Sequence, residues 1–256
     1  MPKPVRGSAS GGFGRPVRPR RERERRVGIY ARLDHDRARR VGVPEVILGE
    51  GKTVEHLVGI VRALLDDGRG AFVSRPTAAQ RRALERLPTP RGPLRFLAGG
   101  RLVRLPGPLE VRYRHGTVAI LAAGTSDVPV AEEARTLLEE LGMRVVHAYD
   151  VGVAGLHRLL RALARLEGQR PETYLVFAGR EGALPTVVAG LVRAPVVGVP
   201  TSVGYGRGAR GEAALNAMLQ SCAPVAVVYI DAAVPAALFA AQRFALRRSG
   251  RPVRRR

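Results

Sequence analysis

Apolar residues recur at helical spacing in "TVEHLVGIVRALLDDG" (53–68) and in "TAAQRRALERLP" (77–88), so both stretches read as helices, with Thr77 placed to cap the second. "GAFVS" (70–74) between them is a short strand, and "RFLAGGRLVRLPG" (95–107) reads as a hairpin or two short strands. Together these form a small α+β domain. Prolines and glycine interrupt the pattern in "LPGPLEVRYRHGT" (105–117), which marks a boundary. Beyond it the rhythm is regular. "TVAILAAG", "MRVVHAYD", "TYLVFAG", "APVVGVP" and "VAVVYI" are short apolar runs. They alternate with the helical "PVAEEARTLLEELG", "AGLHRLLRALARLEG", "LPTVVAGLV", "EAALNAMLQSC" and "AAVPAALFAAQRFAL". Continuous apolar strands alternating with helices mean a parallel sheet covered on both faces, so the second domain is expected to be doubly wound α/β with about five strands.

Charge changes the picture only at the ends. The chain is 45% hydrophobic and carries a net charge of +21. Residues 1–26 hold nine basic and two acidic residues, and residues 243–256 hold seven arginines and no acid. Both terminal stretches lack hydrophobic periodicity and read as disordered basic tails that bind polyanions weakly and in a salt-dependent way, which is not a specific nucleic-acid site. The expected organisation is a tail over 1–26, a small domain over 27–115, the doubly wound domain over 116–246 and a second tail over 247–256. No apolar stretch is long enough for a signal peptide or a membrane span, and one cysteine cannot form an internal disulfide, so a cytoplasmic protein without a membrane partner is expected.

The glycine-rich and polar stretches of the second domain each follow the carboxyl end of an expected strand, the edge at which open α/β sheets bind ligands. They are "GTSD" with Gly124, Thr125, Ser126 and Asp127; "DVGVAG" with Asp150 and Gly152; and "GREGALP" with Glu181 and Gly182. The fourth, "PTSVGYGRGARG", holds Pro200, Thr201, Ser202, Gly204, Tyr205 and Gly206. Glycine permits close backbone approach to a ligand, and hydroxyls and helix N-termini hold anionic or hydroxyl groups. Each loop also has a plain structural reading: Ser126 or Asp127 as a helix cap, Gly204 and Gly206 as turns. Gly206, Gly208 and Gly211, with Asp231 twenty residues on, spell a dinucleotide fingerprint, but "TSVGY" separates the strand from the first glycine. An NAD-dependent oxidoreductase is therefore a minor alternative. Cys222, the only cysteine, lies where a helix-like run gives way to a strand-like one, and it is either a nucleophile or a small buried hydrophobe.

"GTSDVPVAEEA", "DVGVAGLHRLL", "EGALPTVVAGLV", "PTSVGYG" and "AALNAMLQSCAP", in this order, resemble the LarB family of nickel-pincer nucleotide cofactor biosynthesis, relatives of the aminoimidazole ribonucleotide carboxylases and mutases. The N-terminal "LDHDRARRVGVPEVILGEGKT" resembles that family too, so the likeness spans about residues 30–242. The segment "IDAAVPAALFAAQ" and Arg180 depart from the family pattern. The resemblance implies carboxylation of nicotinic acid adenine dinucleotide by CO2 at C5 of the pyridinium ring and hydrolysis of its phosphoanhydride, giving pyridinium-3,5-biscarboxylate mononucleotide and AMP. It implies Cys222 as the thiolate that adds to the ring. Asp150 and Glu181, which sit in ligand-edge loops, are the candidate carboxylates for proton transfer, with helix capping or a loop salt bridge as the plain alternative; Arg37, Arg40 and Glu45 of the N-terminal motif are candidate contacts to the adenylate or carboxylate of the substrate, with a basic run on a solvated surface as theirs. Where Asp150 stands, the purine relatives carry a histidine, which argues against the purine mutase reaction. Anhydride hydrolysis suggests Mg2+, held largely by substrate phosphates and water since no ligand set with metal spacing is visible. His157, inside a helix-like run, reads as a packed or surface histidine. Cys222 precedes a strand and so falls on the amino edge, opposite the glycine loops. A homo-oligomer with a site shared between subunits is expected on that ground, and the resemblance implies an octamer.

Overall fold

The computed structural model describes residues 24–113, 115–204 and 206–249. Its first elements are an antiparallel hairpin of β1 (Glu24–Val27) and β2 (Ala31–Asp34), followed by α1 (Arg37–Val41). Residues 24–26 therefore belong to a strand rather than to the expected tail. Their arginines are not all unpaired charges: Arg25 donates to the Ala63 carbonyl at 2.9 Å and pairs with Asp67 at 2.5 Å and Asp66 at 3.3 Å. Those partners lie about forty residues downstream, beyond the reach of any local reading of the charge run.

The small domain is built on a four-stranded sheet in the order β3 (Val46–Leu48), β4 (Phe72–Ser74), β6 (Leu102–Arg104), β5 (Arg95–Leu97). The β3–β4 pair is parallel and the other two pairs are antiparallel. Two helices, α2 (Val54–Asp66) and α3 (Ala78–Glu85), accompany it. Thr53 caps α2 by accepting the His56 amide, and Leu57, Ile60, Val61, Leu64 and Leu65 form the buried stripe that the spacing predicts. Thr77 caps α3 as expected, in a reciprocal box with Gln80. The amide of Gln80 also donates to the carbonyls of Gly49 and Lys52, so this side chain is buried with its polar atoms satisfied.

The larger domain carries five parallel strands in the order β11, β10, β9, β7, β8. The strands are β7 (Thr117–Ala122), β8 (Arg144–Ala148), β9 (Thr173–Ala178), β10 (Val196–Pro200) and β11 (Val225–Val227). Side chains of α4 (Val128–Glu140) and α8 (Ala233–Ser249) build the core on one face. Those of α5 (Leu156–Glu167), α6 (Leu184–Ala189) and α7 (Glu212–Leu219) build it on the other. The expected doubly wound fold is the observed one. Helix α8 continues through Ser249, so residues 247–249 extend a helix rather than begin a tail. Two further elements are shorter than their apolar runs suggest: α7 stops at Leu219 and β11 at Val227.

The two domains share a core. Phe72 and Leu102 of the small sheet are buried in the same cluster as Ile120, Leu137, Phe177 and Ala237. Glu133 on α4 is 1% exposed, accepts the Ser74 hydroxyl at 2.5 Å and pairs with Arg101 at 3.0 Å. In the connecting segment, Tyr113 donates its hydroxyl to the Gly42 carbonyl and its amide to the Leu141 carbonyl.

Candidate functional site

In this strand order the chain leaves β7 outward to β8 and then returns to β9, so the reversal point lies between β7 and β9. Ligands of doubly wound sheets bind at the carboxyl ends of the strands at such a point. A cavity of about 530 Å3 opens there, lined by the loops that follow β7, β8 and β9 together with Val203 from the loop after β10. Of the residues singled out in the sequence, Gly124, Thr125, Ser126, Asp127, Asp150, Gly152 and Glu181 line it. Thr125, Ser126, Asp150 and Glu181 are exposed to it, as ligand contacts must be.

Asp127 does more than the helix capping that is its plain reading. Its side chain is 4% exposed. One oxygen accepts the Gly124 amide at 2.8 Å, and the other accepts the Gly179 amide at 3.1 Å and the Thr201 hydroxyl at 2.5 Å. A carboxylate that takes three donors from three loops is occupied as a brace, and it sets the loops' relative positions at the cavity wall. Thr201 is fully buried on the same brace, and neither it nor Pro200 reaches the cavity surface. The glycines work by clearance. A Cβ on Gly182, which has φ +65°, would meet the Ala214 backbone at 2.6 Å, and one on Gly152 would meet the Ala123 carbonyl oxygen at 2.9 Å. Ser202 donates its amide to Asp231 at 2.9 Å, Gly204 packs against Gly208, and Gly206 turns the chain with φ +61°. Tyr205 lies outside the described residues. The segment Gly206–Gly211 is a kinked 3-10 stretch separated from β10, and the Asp231 carboxylate is bonded to Ser202, so the dinucleotide-fingerprint reading does not hold.

Arg158 and Arg180 also line the cavity; sequence reasoning missed the first and marked the second only as a departure from the family pattern. Arg158 donates to Asp150, eight residues earlier on the same β8-to-α5 segment, at 2.5 Å, in a pair whose side chains are 41% and 54% exposed. Asp150 itself sits at φ +56°, an uncommon conformation for a residue with a Cβ. Nothing local marks Arg158, since one more arginine in an Arg-rich chain carries no signal until the fold sets it opposite a carboxylate. His157, the preceding residue, is exposed on α5, in line with the surface reading.

Two groups of expected residues stand apart from this cavity. Arg40 pairs with Asp34 and holds that carboxyl below its ordinary range, chiefly by hydrogen bonding. Arg37 and Glu45 meet in a small recess with His35, Arg69 and Glu110, where burial raises the Glu45 carboxyl and Arg37 opposes the rise. Arg37 also faces a cleft of about 430 Å3 between the small domain and α8, with Arg75, Tyr229 and Phe239 on its walls. Cys222 is exposed, which removes the buried-hydrophobe reading. It lies in the turn between Leu219 and Val225, outside the helix in which it was expected, and on the amino edge of the sheet. Among the described residues no group of three or more His, Cys, Asp or Glu converges as metal ligands. No helix among the described residues is long and apolar enough to cross a membrane.

Comparison with known proteins agrees with this two-part build. Residues 25–90 match the LarB/PurE-like N-terminal domain, and residues 117–251 match AIR carboxylase. An uncharacterized protein of Methanocaldococcus jannaschii is 37% identical over 212 residues, 82% of each chain. The N5-carboxyaminoimidazole ribonucleotide mutase of the same organism is 30% identical over 136 residues, 51% of this chain and 80% of its own. That of Pyrococcus horikoshii is 32% identical over 138 residues, 52% of this chain and 74% of its own. Its carboxyl-terminal α/β part matching AIR carboxylase over more than half its length, the chain belongs to the AIR carboxylase family of carboxylase- and mutase-type enzymes and carries a LarB/PurE-like N-terminal domain.

Proposed function

We propose that the protein converts nicotinic acid adenine dinucleotide, CO2 and water to pyridinium-3,5-biscarboxylate mononucleotide and AMP through a covalent adduct at Cys222. The observation that carries this reading is an exposed lone thiol in a carboxylase-type chain that also bears a LarB/PurE-like N-terminal domain. A pyridinium carbon is electrophilic, so C5 cannot attack CO2 directly. Addition of the Cys222 thiolate at C4 makes the ring a dihydropyridine, an enamine whose C5 donates its electron pair to CO2. A carboxylate of the cavity, Asp150 or Glu181, then takes the C5 proton, and the C–S electrons return to the sulfur as the ring regains aromaticity. Water separately opens the phosphoanhydride. Full-length protein incubated with nicotinic acid adenine dinucleotide and bicarbonate is expected to yield both products by mass spectrometry, with a thiol adduct on intact protein. If AMP forms without any biscarboxylated mononucleotide, the carboxylase reading is wrong.

The reaction requires two subunits. The cavity is on the carboxyl edge and Cys222 on the amino edge, and the five residues of β10 span roughly 17 Å between them. A neighbouring chain, in an octamer by family resemblance, would bring its thiol to the loops. Exposed apolar residues lie in the helix-to-strand segments of that edge, Leu219 at 64%, three residues before the thiol, and Leu191 at 51%, after α6. A groove of about 580 Å3 lined by Val192, Pro195, Val196, Pro224 and Val225 lies at the same edge. Apolar surface of this kind marks an interaction site. Co-expressing a Cys222→Ala chain with an Asp150→Ala chain is expected to restore part of the activity that each lacks alone. Inactive mixtures of demonstrably co-assembled chains refute the shared site.

The mutase relatives support a second reading, rearrangement of a carboxylated aminoimidazole ribonucleotide. It requires no thiol, so Cys222→Ala would retain it, and the same mass-spectrometric assay with that substrate separates the two.

A further inference from the structure

The geometry points to Arg158 as the phosphate-binding residue of the carboxyl-edge cavity, held by Asp150 until a nucleotide's phosphate displaces that carboxylate. Four observations converge. Arg158 and Asp150 both line the cavity and are joined to each other at 2.5 Å. Their side chains are 41% and 54% exposed, and an ion pair so wet is cheap to separate, so it does not serve as a brace in the way that the buried Asp127 does. Arg158 occupies the first turn of α5, where the helix dipole disfavours a cation, so helix stability does not account for its position. Its guanidinium folds back over Gly155: a Cβ there would lie 2.5 Å from the Arg158 Nε, so the absence of a side chain leaves room for that path.

The consequence is an exchange. Phosphate takes the guanidinium with two oxygens where Asp150 offered one, and Asp150 is released into the cavity. In the proposed reaction this frees the carboxylate for the C5 proton only once substrate is bound. The identity of the nucleotide rests on that proposed reaction; the exchange itself does not.

Calorimetry on the full chain with two ligands tests it: nicotinamide mononucleotide, which has a phosphate and no carboxylate, and nicotinic acid riboside, which has the reverse. Arg158→Ala is expected to weaken the mononucleotide about 10- to 100-fold and to leave the riboside within about two-fold. Arg158→Lys should fall between wild type and alanine. Asp150→Asn, which removes the competing charge, should tighten the mononucleotide about three-fold or more. The inference is overturned if wild type does not bind the mononucleotide at millimolar concentration. It also fails if Arg158→Ala binds the mononucleotide as wild type does, if the loss appears on the riboside instead, or if Asp150→Asn weakens binding as Arg158→Ala does. Mononucleotide binding that follows Arg158 in a protein unable to carboxylate nicotinic acid adenine dinucleotide would sink the proposed reaction and keep this site.

Discussion

Replacing Glu133 with glutamine is expected to leave stability at pH 7.5 within about 1 kcal/mol of wild type, although the residue is a buried carboxylate in an ion pair. The reason is the asymmetry of the pair. Glu133 is 1% exposed whereas Arg101 keeps 30% of its side chain in solvent, so the acid bears most of the desolvation and the base little. Burial raises the Glu133 carboxyl above its ordinary range, and the Ser74 hydroxyl and Arg101 pull it back only in part. A carboxyl with a raised folded-state pKa contributes stability that is fully present below the unfolded value and is lost as pH rises through the folded one, so at neutral pH the ionised form is a burden. Glutamine removes that burden and still accepts the Ser74 hydroxyl. Alanine removes the acceptor as well. It leaves Ser74, which is 3% exposed, without a partner, at about 1–3 kcal/mol, and strips methylenes from a packed interdomain contact for roughly 1 kcal/mol more. The sum is about 2–4 kcal/mol, or some 5–15 °C in melting temperature for a chain of this size. Urea melts of wild type, Glu133→Gln and Glu133→Ala at pH 7.5 and pH 5 measure both effects. The glutamine variant should lose ground against wild type as pH falls. Glutamine as damaging as alanine at pH 7.5, or a difference from wild type that does not change with pH, would show that the Arg101 pair outweighs desolvation.

Because Cys222 is exposed, Cys222→Ala should change stability by no more than about 0.5 kcal/mol while abolishing carboxylation, and folded alanine protein that still makes product refutes the covalent route. Asp127→Ala should destabilise the protein by about 2–4 kcal/mol, since it strands donors from three loops, and thermal unfolding checks this; a variant with unchanged stability and only weakened nucleotide binding would return Asp127 to the list of ligand contacts. Deleting residues 1–23 and 250–256 should leave product formation within a few-fold at physiological salt, where the screening of exposed charge limits steering, and loss of turnover in folded, trimmed protein would assign the terminal arginines a part in catalysis.

The helices and parallel strands were legible because their signals are local. The buried stripe of α2 and the continuous apolar run of β9 can each be read within a dozen residues. The cavity was legible at one remove, because strand and helix order alone assigns every loop to an edge. What stayed hidden depends on partners distant in sequence. Asp127 looked like a ligand contact or a helix cap until Gly179 and Thr201, 52 and 74 residues away, arrived at its oxygens. Glu133 looked like one more acid on an amphipathic helix until Ser74 and Arg101 closed over it. Arg25 looked like part of a repelling run until Asp66 and Asp67 neutralised it. In each case the residue type was read correctly and its burden was not, because polar side chains take their roles from the contacts of the folded state.

The thiol is the exception that makes the edge argument useful. Cys222 has no long-range partner among the described residues to reveal its role, but its edge follows from topology alone, since a residue between a helix and the next parallel strand lies at the amino end of the sheet. Shortening α7 and β11 by a few residues moved the helix end away from Cys222 without moving it to the other edge. The negative end of a helix dipole disfavours a thiolate, but three positions separate Cys222 from the last helical residue, Leu219, and the field of a helix end fades within about a turn. The separation from the loops stands undiminished. If this thiol is a nucleophile, assembly has to supply its site, and subunit contact then becomes a determinant of activity as direct as any side chain in the cavity.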